Sequence, residues 1–169
     1  MTAWPGVTSG RRQRLGKEAV QLDKDVARGI LAGLLATCVL SLLMLGNDWV
    51  PHVEPVPVTL LIGIARAVLA GTGLWAPFAG WLWFFVIGSL WWGTWFAVMA
   101  PILPGRSFWT KGAVFGLGAG LLVVWTVMPL AAGGAVGMKL TIWQPLVTVS
   151  EHLIYGVALG AIYGQLSRH

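Results

Sequence analysis

Three side chains capable of proton chemistry or ligand binding stand close together in the stretch "SEHLIYG", which runs from Ser150 to Gly156. They are Glu151, His152 and Tyr155, which supply a carboxylate, an imidazole and a phenol within about one turn of a helix. Such groups can exchange protons with a substrate or with one another. They lie inside an apolar run, where ionisable residues are costly to bury and are functional candidates by default.

A second polar group, Asp48, His52 and Glu54, follows the first apolar run of the chain. We expect it on the same side of a membrane as Glu151 and His152, so the two groups together would form a proton, cation or ligand site. However, His52 and His152 are about a hundred positions apart, whereas zinc ligands usually come at short fixed spacings. No metal site is predicted. The sequence favours a hydrogen-bonded cluster in which His152 bonds a backbone carbonyl and Glu151 bonds a neighbouring hydroxyl or indole.

The composition indicates an integral membrane protein. The 169 residues are 57% hydrophobic and 10% charged, whereas soluble domains carry roughly 25% charged residues. The net charge of +5 comes largely from basic residues beside the first apolar run. No aromatic stacking platform accompanies them, so no nucleic-acid partner is expected. The single cysteine, Cys38, excludes an intrachain disulfide and a cysteine metal cage.

Four apolar runs are long enough to cross a bilayer core, which needs about 20 helical residues. They cover residues 26–45, 77–100, 109–130 and 143–166. We therefore predict an all-α integral membrane protein, a four-transmembrane-helix bundle over residues 26–169 that follows a basic N-terminal segment at residues 1–25. Pro145 suits the first turn of the fourth helix, where no backbone N–H is needed.

A shorter apolar segment lies between the first two runs. It covers residues 58–70, has Arg66 at its middle and follows the Pro-rich "VPHVEPVP". Because it is too short to cross the bilayer, we predict a short interfacial amphipathic helix. A re-entrant segment is the alternative.

Lys and Arg are distributed unevenly between the two sides of the predicted bundle. If the N-terminus is inside, only Arg66 and Lys139 of the eleven basic residues fall outside. The other nine are Arg11, Arg12, Arg14, Lys17, Lys24, Arg28, Arg106, Lys111 and Arg168. The positive-inside rule then places both termini in the cytoplasm.

Small residues recur every four positions in each predicted span. Lipid supplies no hydrophobic force between helices, so close backbone approach depends on small residues along one stripe. The glycines predicted to form such stripes are Gly29, Gly33, Gly93, Gly112, Gly116, Gly120, Gly156, Gly160 and Gly164. The pattern predicts a compact bundle with tight helix crossings.

Tryptophan is abundant, with eleven residues in the chain. Four fall at predicted span edges, where amphipathic rings are favoured: Trp49, Trp75, Trp109 and Trp143. Six lie deeper: Trp81, Trp83, Trp91, Trp92, Trp95 and Trp125. We interpret the deeper rings as lipid-facing or interhelical packing, with a quinone or other cofactor pocket as the alternative.

From Gly80 onward, the order of "GWLWFFVIG", Pro101, "KGAVFG", "MPLAAGG" and "EHLIYGVALGAIYG" resembles an uncharacterised family of small bacterial four-span inner-membrane proteins. The resemblance implies a fold and a location but no activity. One position departs from the family pattern, because Phe84 stands where a histidine is expected after "GW". If that histidine pairs with the equivalent of His152 in relatives, the pair is absent in this chain.

Three functions follow as hypotheses. The first is a structural or accessory subunit of a larger inner-membrane assembly, an electron-transfer complex being one example. The second is a small proton or cation transporter or channel that uses Glu151 and His152. The third is binding of haem, with His52 and His152 as ligands, or of a quinone. No nucleophile–base motif, phosphate loop or carboxylate pair is present, so enzymatic catalysis is not expected.

Overall fold

Four long helices account for most of the residues that the computed structural model describes, which are residues 6–46, 75–130 and 143–168. They are α1 (Gly6–Gly46), α2 (Trp75–Met99), α3 (Phe108–Leu130) and α4 (Gln144–Leu166). By length and hydropathy each is able to cross a membrane, and each covers one of the four predicted spans. The predicted interfacial helix at residues 58–70 lies outside the described residues.

Helix α1 begins well before its predicted membrane span. Its 41 residues give a length of about 60 Å, twice the thickness of a bilayer core. The basic segment therefore continues the first span as one helix, because Lys, Arg, Gln and Glu are good helix formers. Near the boundary, Asp25 accepts hydrogen bonds from Gln21 at 3.1 Å and from Arg28 at 3.0 Å, which link successive turns.

Neighbouring helices run antiparallel around a four-sided bundle. The pairing of Gly29 with Gly93 joins α1 to α2, and that of Gly112 with Gly160 joins α3 to α4. Aromatic rings join α2 to α3, where Phe96 and Phe115 have centroids 5.4 Å apart. Helix α4 closes the ring by packing against α1 as well.

The glycine stripes of α3 and α4 bring the two backbones into contact, as predicted. A Cβ atom on Gly116 would meet the carbonyl oxygen of His152 and would lie 2.9 Å from the Cα of Gly156. A Cβ on Gly160 would meet the carbonyl of Phe108 in the same way. Only glycine allows this spacing, so the stripe fixes both the distance and the register of α3 against α4.

The α1–α2 contact uses a second set of small residues and a local change in helix geometry. Gly29 and Gly33 of α1 face Gly93 and the carbonyls of the Ile87–Trp92 turn. That turn is π-helical, a feature the sequence did not predict. π-Turns interrupt the regular bonding pattern of a helix and are frequent at functional sites. Here the turn stands opposite Thr37, whose hydroxyl would collide with any Cβ on Gly88.

The connection between α2 and α3 is short and well defined. Gly105 adopts φ 133°, a conformation that L side chains rarely adopt, and it turns the chain toward α3. Ser107 and Thr110 exchange hydrogen bonds at the start of α3. The Lys111 ammonium donates to the carbonyl oxygen of Ala100 at 2.6 Å and so satisfies a group at the end of α2.

Candidate functional site

A stripe of buried polar side chains runs along the inward face of α4. Its members are Gln144, Thr148, Glu151, His152 and Tyr155, all less than 9% exposed. Their spacing of four, three, one and three positions keeps them on one face of the helix. The stripe continues into the glycines that pack against α3. The predicted residues of α4 therefore do face the bundle interior.

The imidazole of His152 is held against its own helix. Its Nδ1 lies 2.8 Å from the carbonyl oxygen of Thr148, one turn earlier. Because a carbonyl oxygen can only accept, Nδ1 carries the hydrogen and Nε2 remains an acceptor. The expected bond from His152 to a backbone carbonyl is confirmed, and that carbonyl belongs to α4 itself rather than to a neighbouring helix.

Glu151 is buried beside His152, with 5% of its surface exposed. Both Glu151 and Gln144 have interaction partners. The proposed bond from Glu151 to a hydroxyl or an indole stays a prediction. Thr148 lies between Gln144 and Glu151 along the stripe, and its hydroxyl has no hydrogen-bond partner among the described residues.

Tyr155 connects α4 to the π-helical turn of α2. Its hydroxyl donates to the carbonyl oxygen of Gly88 at 2.6 Å, across 67 positions of sequence. The phenol also interacts with the side chain of Thr37. Thr37 in turn donates to the carbonyl of Gly33 at 2.7 Å. Three helices therefore meet at one small polar cluster.

The sequence pattern indicates Tyr155 but not two of its partners, nor Gln144 at the start of the stripe. Thr37 follows Gly33 by four positions and continues the small-residue stripe of α1, so its hydroxyl has no separate signal in the sequence. Gly88 enters the cluster through a backbone carbonyl, which has no signature in the sequence. Gln144 precedes Glu151 by seven positions, and this heptad spacing within an apolar run is the pattern that could have identified it.

A cavity of about 180 Å³ lies next to this cluster. All four helices contribute to its wall, and its polar members are Thr37, His152 and Tyr155. The rest of the wall is apolar or, for the indole of Trp92, mainly apolar: Leu40, Phe84, Ile87, Gly88, Trp92, Val123 and Val127. The arrangement can accommodate a small ligand, with a few polar groups that would orient it.

The six candidate site residues are brought together only in part. Glu151, His152 and Tyr155 share the buried face of α4. Asp48, His52 and Glu54 lie outside the described residues, so the joint site stays a prediction. Over residues 6–46, 75–130 and 143–168, no three His, Cys, Asp or Glu side chains stand close enough to hold a metal ion.

Comparison with known proteins places the chain in a family without assigning it an activity. No curated protein and no solved structure matches it. A family model described as a family of unknown function, DUF6789, matches residues 23–169. The match includes the membrane part of α1 and all of α2, α3 and α4, so it extends well before Gly80, where the resemblance in the sequence begins. The chain belongs to the DUF6789 family.

Proposed function

We propose that this protein is a structural or accessory subunit of a larger assembly in a bacterial inner membrane. The observation that carries the proposal is a row of exposed tryptophans on α2, the α2 indole face, formed by Trp83, Trp91 and Trp95. Their side chains are 57%, 57% and 46% exposed. The rings of Trp91 and Trp95 lie 6.0 Å apart and form one continuous surface.

The α2 indole face lies deeper in the predicted span than the tryptophans that are typical of a membrane–water interface. Helix α2 is centred on residue 87, so Trp83 and Trp91 lie only about 6 Å to either side of its middle. Tryptophan is enriched at membrane–water interfaces, where its N–H finds water or headgroups. Acyl chains offer no hydrogen-bond acceptor, and an unsatisfied polar group in hydrocarbon is costly. An indole surface at this depth is suited to a protein partner that supplies acceptors.

A groove lies beside the α2 indole face. It has a volume of about 510 Å³ and lies between α2 and α3, with Trp91, Trp95 and Phe115 among its walls. Gly118 lies at its surface, and a Cβ added there would meet nothing within 4 Å. We propose that a transmembrane helix of another subunit lies in this groove. Its serine, threonine or backbone oxygens would accept from the indoles.

Two triple variants with equal numbers of substitutions test the proposal. Trp83→Leu, Trp91→Leu and Trp95→Leu together remove the α2 indole face while keeping α2 apolar. Trp75→Leu, Trp109→Leu and Trp143→Leu together remove three exposed tryptophans at helix ends. We expect the first variant to lose the large species seen on native gels in mild detergent and the second to retain it. Equal migration of both variants, or wild-type protein that migrates alone, would contradict the proposal.

A small proton or cation transporter is the second candidate, and the buried stripe of α4 is the observation that favours it. Glu151 is a carboxyl group buried within a predicted span, with Thr148 and His152 as neighbours on the same face. Intramembrane ionisable residues commonly mark ion or proton paths. Glu151→Gln should abolish proton flux into liposomes, whereas Glu18→Gln in the exposed part of α1 should not. Unchanged flux in Glu151→Gln excludes this carboxylate from transport.

We also propose that both termini are cytoplasmic. All nine Lys and Arg residues of the described segments lie toward one end of the bundle. Six are on α1 at or before Arg28, and the other three follow α2, begin α3 or follow α4. The positive-inside rule assigns such an end to the cytoplasm. The Gln144 end of α4, where the polar stripe begins, would then face the periplasm.

A further inference from the structure

The cavity beside Thr37, His152 and Tyr155 lies near the middle of the bundle. His152 stands about 12 Å along α4 from Gln144, and Gly88 stands about 20 Å along α2 from Trp75. Thr37 is about 14 Å from the end of α1 at Gly46. These helix ends lie on the same side of the bundle, so all three distances place the cavity in the hydrocarbon zone.

The hydrogen atoms of the three polar side chains are already used by backbone carbonyls. The imidazole Nδ1 of His152 donates to Thr148, and the hydroxyl of Tyr155 donates to Gly88. The hydroxyl of Thr37 donates to Gly33. The side chains of Thr37 and Tyr155 also interact with each other. What the three groups can still offer a ligand is therefore acceptor capacity, and above all the Nε2 lone pair of His152.

Trp92 also forms part of the wall, through an indole that is mainly apolar. A ketone or an ether oxygen has no hydrogen to give, so it cannot use the Nε2 lone pair of His152. A hydroxyl can donate to that lone pair. The polar part of the wall therefore selects for a hydroxyl group.

The size and the walls of the cavity favour a single aromatic ring. An apolar cavity of about 150 Å³ holds benzene, and this cavity measures about 180 Å³. Phe84 and Trp92 form part of the wall, and aromatic rings pack favourably against them in edge-to-face or offset geometry. A macrocycle of haem size would not fit a space on this scale.

Access from the lipid is available between α2 and α3. The wall residues Ile87 and Trp92 on α2 and Val123 and Val127 on α3 are only half-buried. An apolar tail attached to the ring can leave through this gap and lie among the acyl chains. Entry of this kind suits a membrane-soluble molecule with a polar ring and a hydrocarbon tail.

We propose that this cavity is a binding site for a tailed phenol or hydroquinone, whose ring hydroxyl donates a hydrogen bond to Nε2 of His152. The proposal goes beyond a structural role, because it assigns a ligand to the interior of the bundle. It also selects between redox forms: a quinol carries the hydroxyl that the wall accepts, and the corresponding quinone does not.

Matched small molecules and a single-histidine protein test the site. In the double variant His52→Gln, His169→Gln, His152 is the only histidine, so its ¹⁵N resonances can be observed in lipid nanodiscs without overlap. We expect 4-pentylphenol to shift the Nε2 resonance saturably. Its methyl ether, 4-pentylanisole, lacks the donor and should bind about tenfold more weakly, because one buried hydrogen bond is lost. The saturated analogue 4-pentylcyclohexanol should also bind more weakly, because it lacks the aromatic ring.

A cavity-filling variant distinguishes binding of the phenol in the cavity from its general partitioning into lipid. Val123→Phe adds volume within the cavity and should abolish the saturable shift. Leu121→Phe, two residues away on an exposed surface of α3, should preserve it. Equal shifts from the phenol and the ether would overturn the proposal, as would the absence of a saturable shift in folded protein. Equal binding of the cyclohexanol would overturn the aromatic part of the proposal.

Discussion

At the residue scale, the polar side chains of α4 were predictable by type and position but not by partner. Burial of Glu151, His152 and Tyr155 followed from their place in an apolar run, and His152 does bond a carbonyl as expected. The link from Tyr155 to Gly88 could not be predicted. It depends on a contact 67 positions away and on a backbone carbonyl in a π-helical turn, neither of which has a local sequence pattern.

Replacing Tyr155 with phenylalanine tests this link. The change removes the hydroxyl and leaves the Gly88 carbonyl without its donor while the ring can still pack. We expect a loss of about 1 kcal/mol in the free energy of unfolding, in line with interhelical hydrogen bonds in membranes. Thermal or denaturant unfolding in detergent measures it. Thr126→Val, which removes an exposed hydroxyl bonded within its own helix, should have a smaller effect. Equal stability of Tyr155→Phe and wild type would argue against the link.

At the element scale, the helices and their glycine stripes were predicted well because both depend on local patterns. The bounds of α2, α3 and α4 fall within two residues of the predicted spans. The start of α1 was not predicted, because hydropathy defines where a helix enters lipid and not where it begins. The π-helical turn at Ile87–Trp92 was missed because its cause is the packing of α1 against it.

Two glycines that are two positions apart on α3 give a matched test of the stripe. Gly116 contacts the backbone of α4, whereas Gly118 has open space beside it. Gly116→Ala must push the helices apart and should cost about 1–3 kcal/mol. Gly118→Ala should leave stability unchanged or raise it by up to about 1 kcal/mol, since alanine is the better helix former. Both are measured by unfolding in detergent. Similar stabilities for the two variants would contradict the α3–α4 interface.

At the scale of the whole molecule, the composition was sufficient to predict a membrane bundle but not its internal cavity. The number of spans follows from hydropathy and length. The cavity exists because four helices with side chains of unequal size meet around Gly88, and no single segment encodes that arrangement. Family membership leaves the activity to be determined from the site.

The orientation of the bundle can be measured with reporter fusions in bacteria. With both termini in the cytoplasm, green fluorescent protein should fluoresce at either end, and alkaline phosphatase should be inactive at either end. The reason is the placement of nine basic residues toward one end of the bundle. Active phosphatase at the C-terminus would show that the spans are inverted or that their number is odd.

The central claim is that the α2 indole face contacts another membrane protein, and site-specific photo-crosslinking tests it most directly. A photoreactive phenylalanine analogue would replace Trp91 in one protein and Ile154, exposed on α4, in another. After irradiation of intact membranes, position 91 should give one discrete crosslinked product that contains a transmembrane segment of a second subunit, and position 154 should not give it. If position 91 crosslinks only to lipid, or if both positions give the same set of products, the α2 indole face is not a subunit interface.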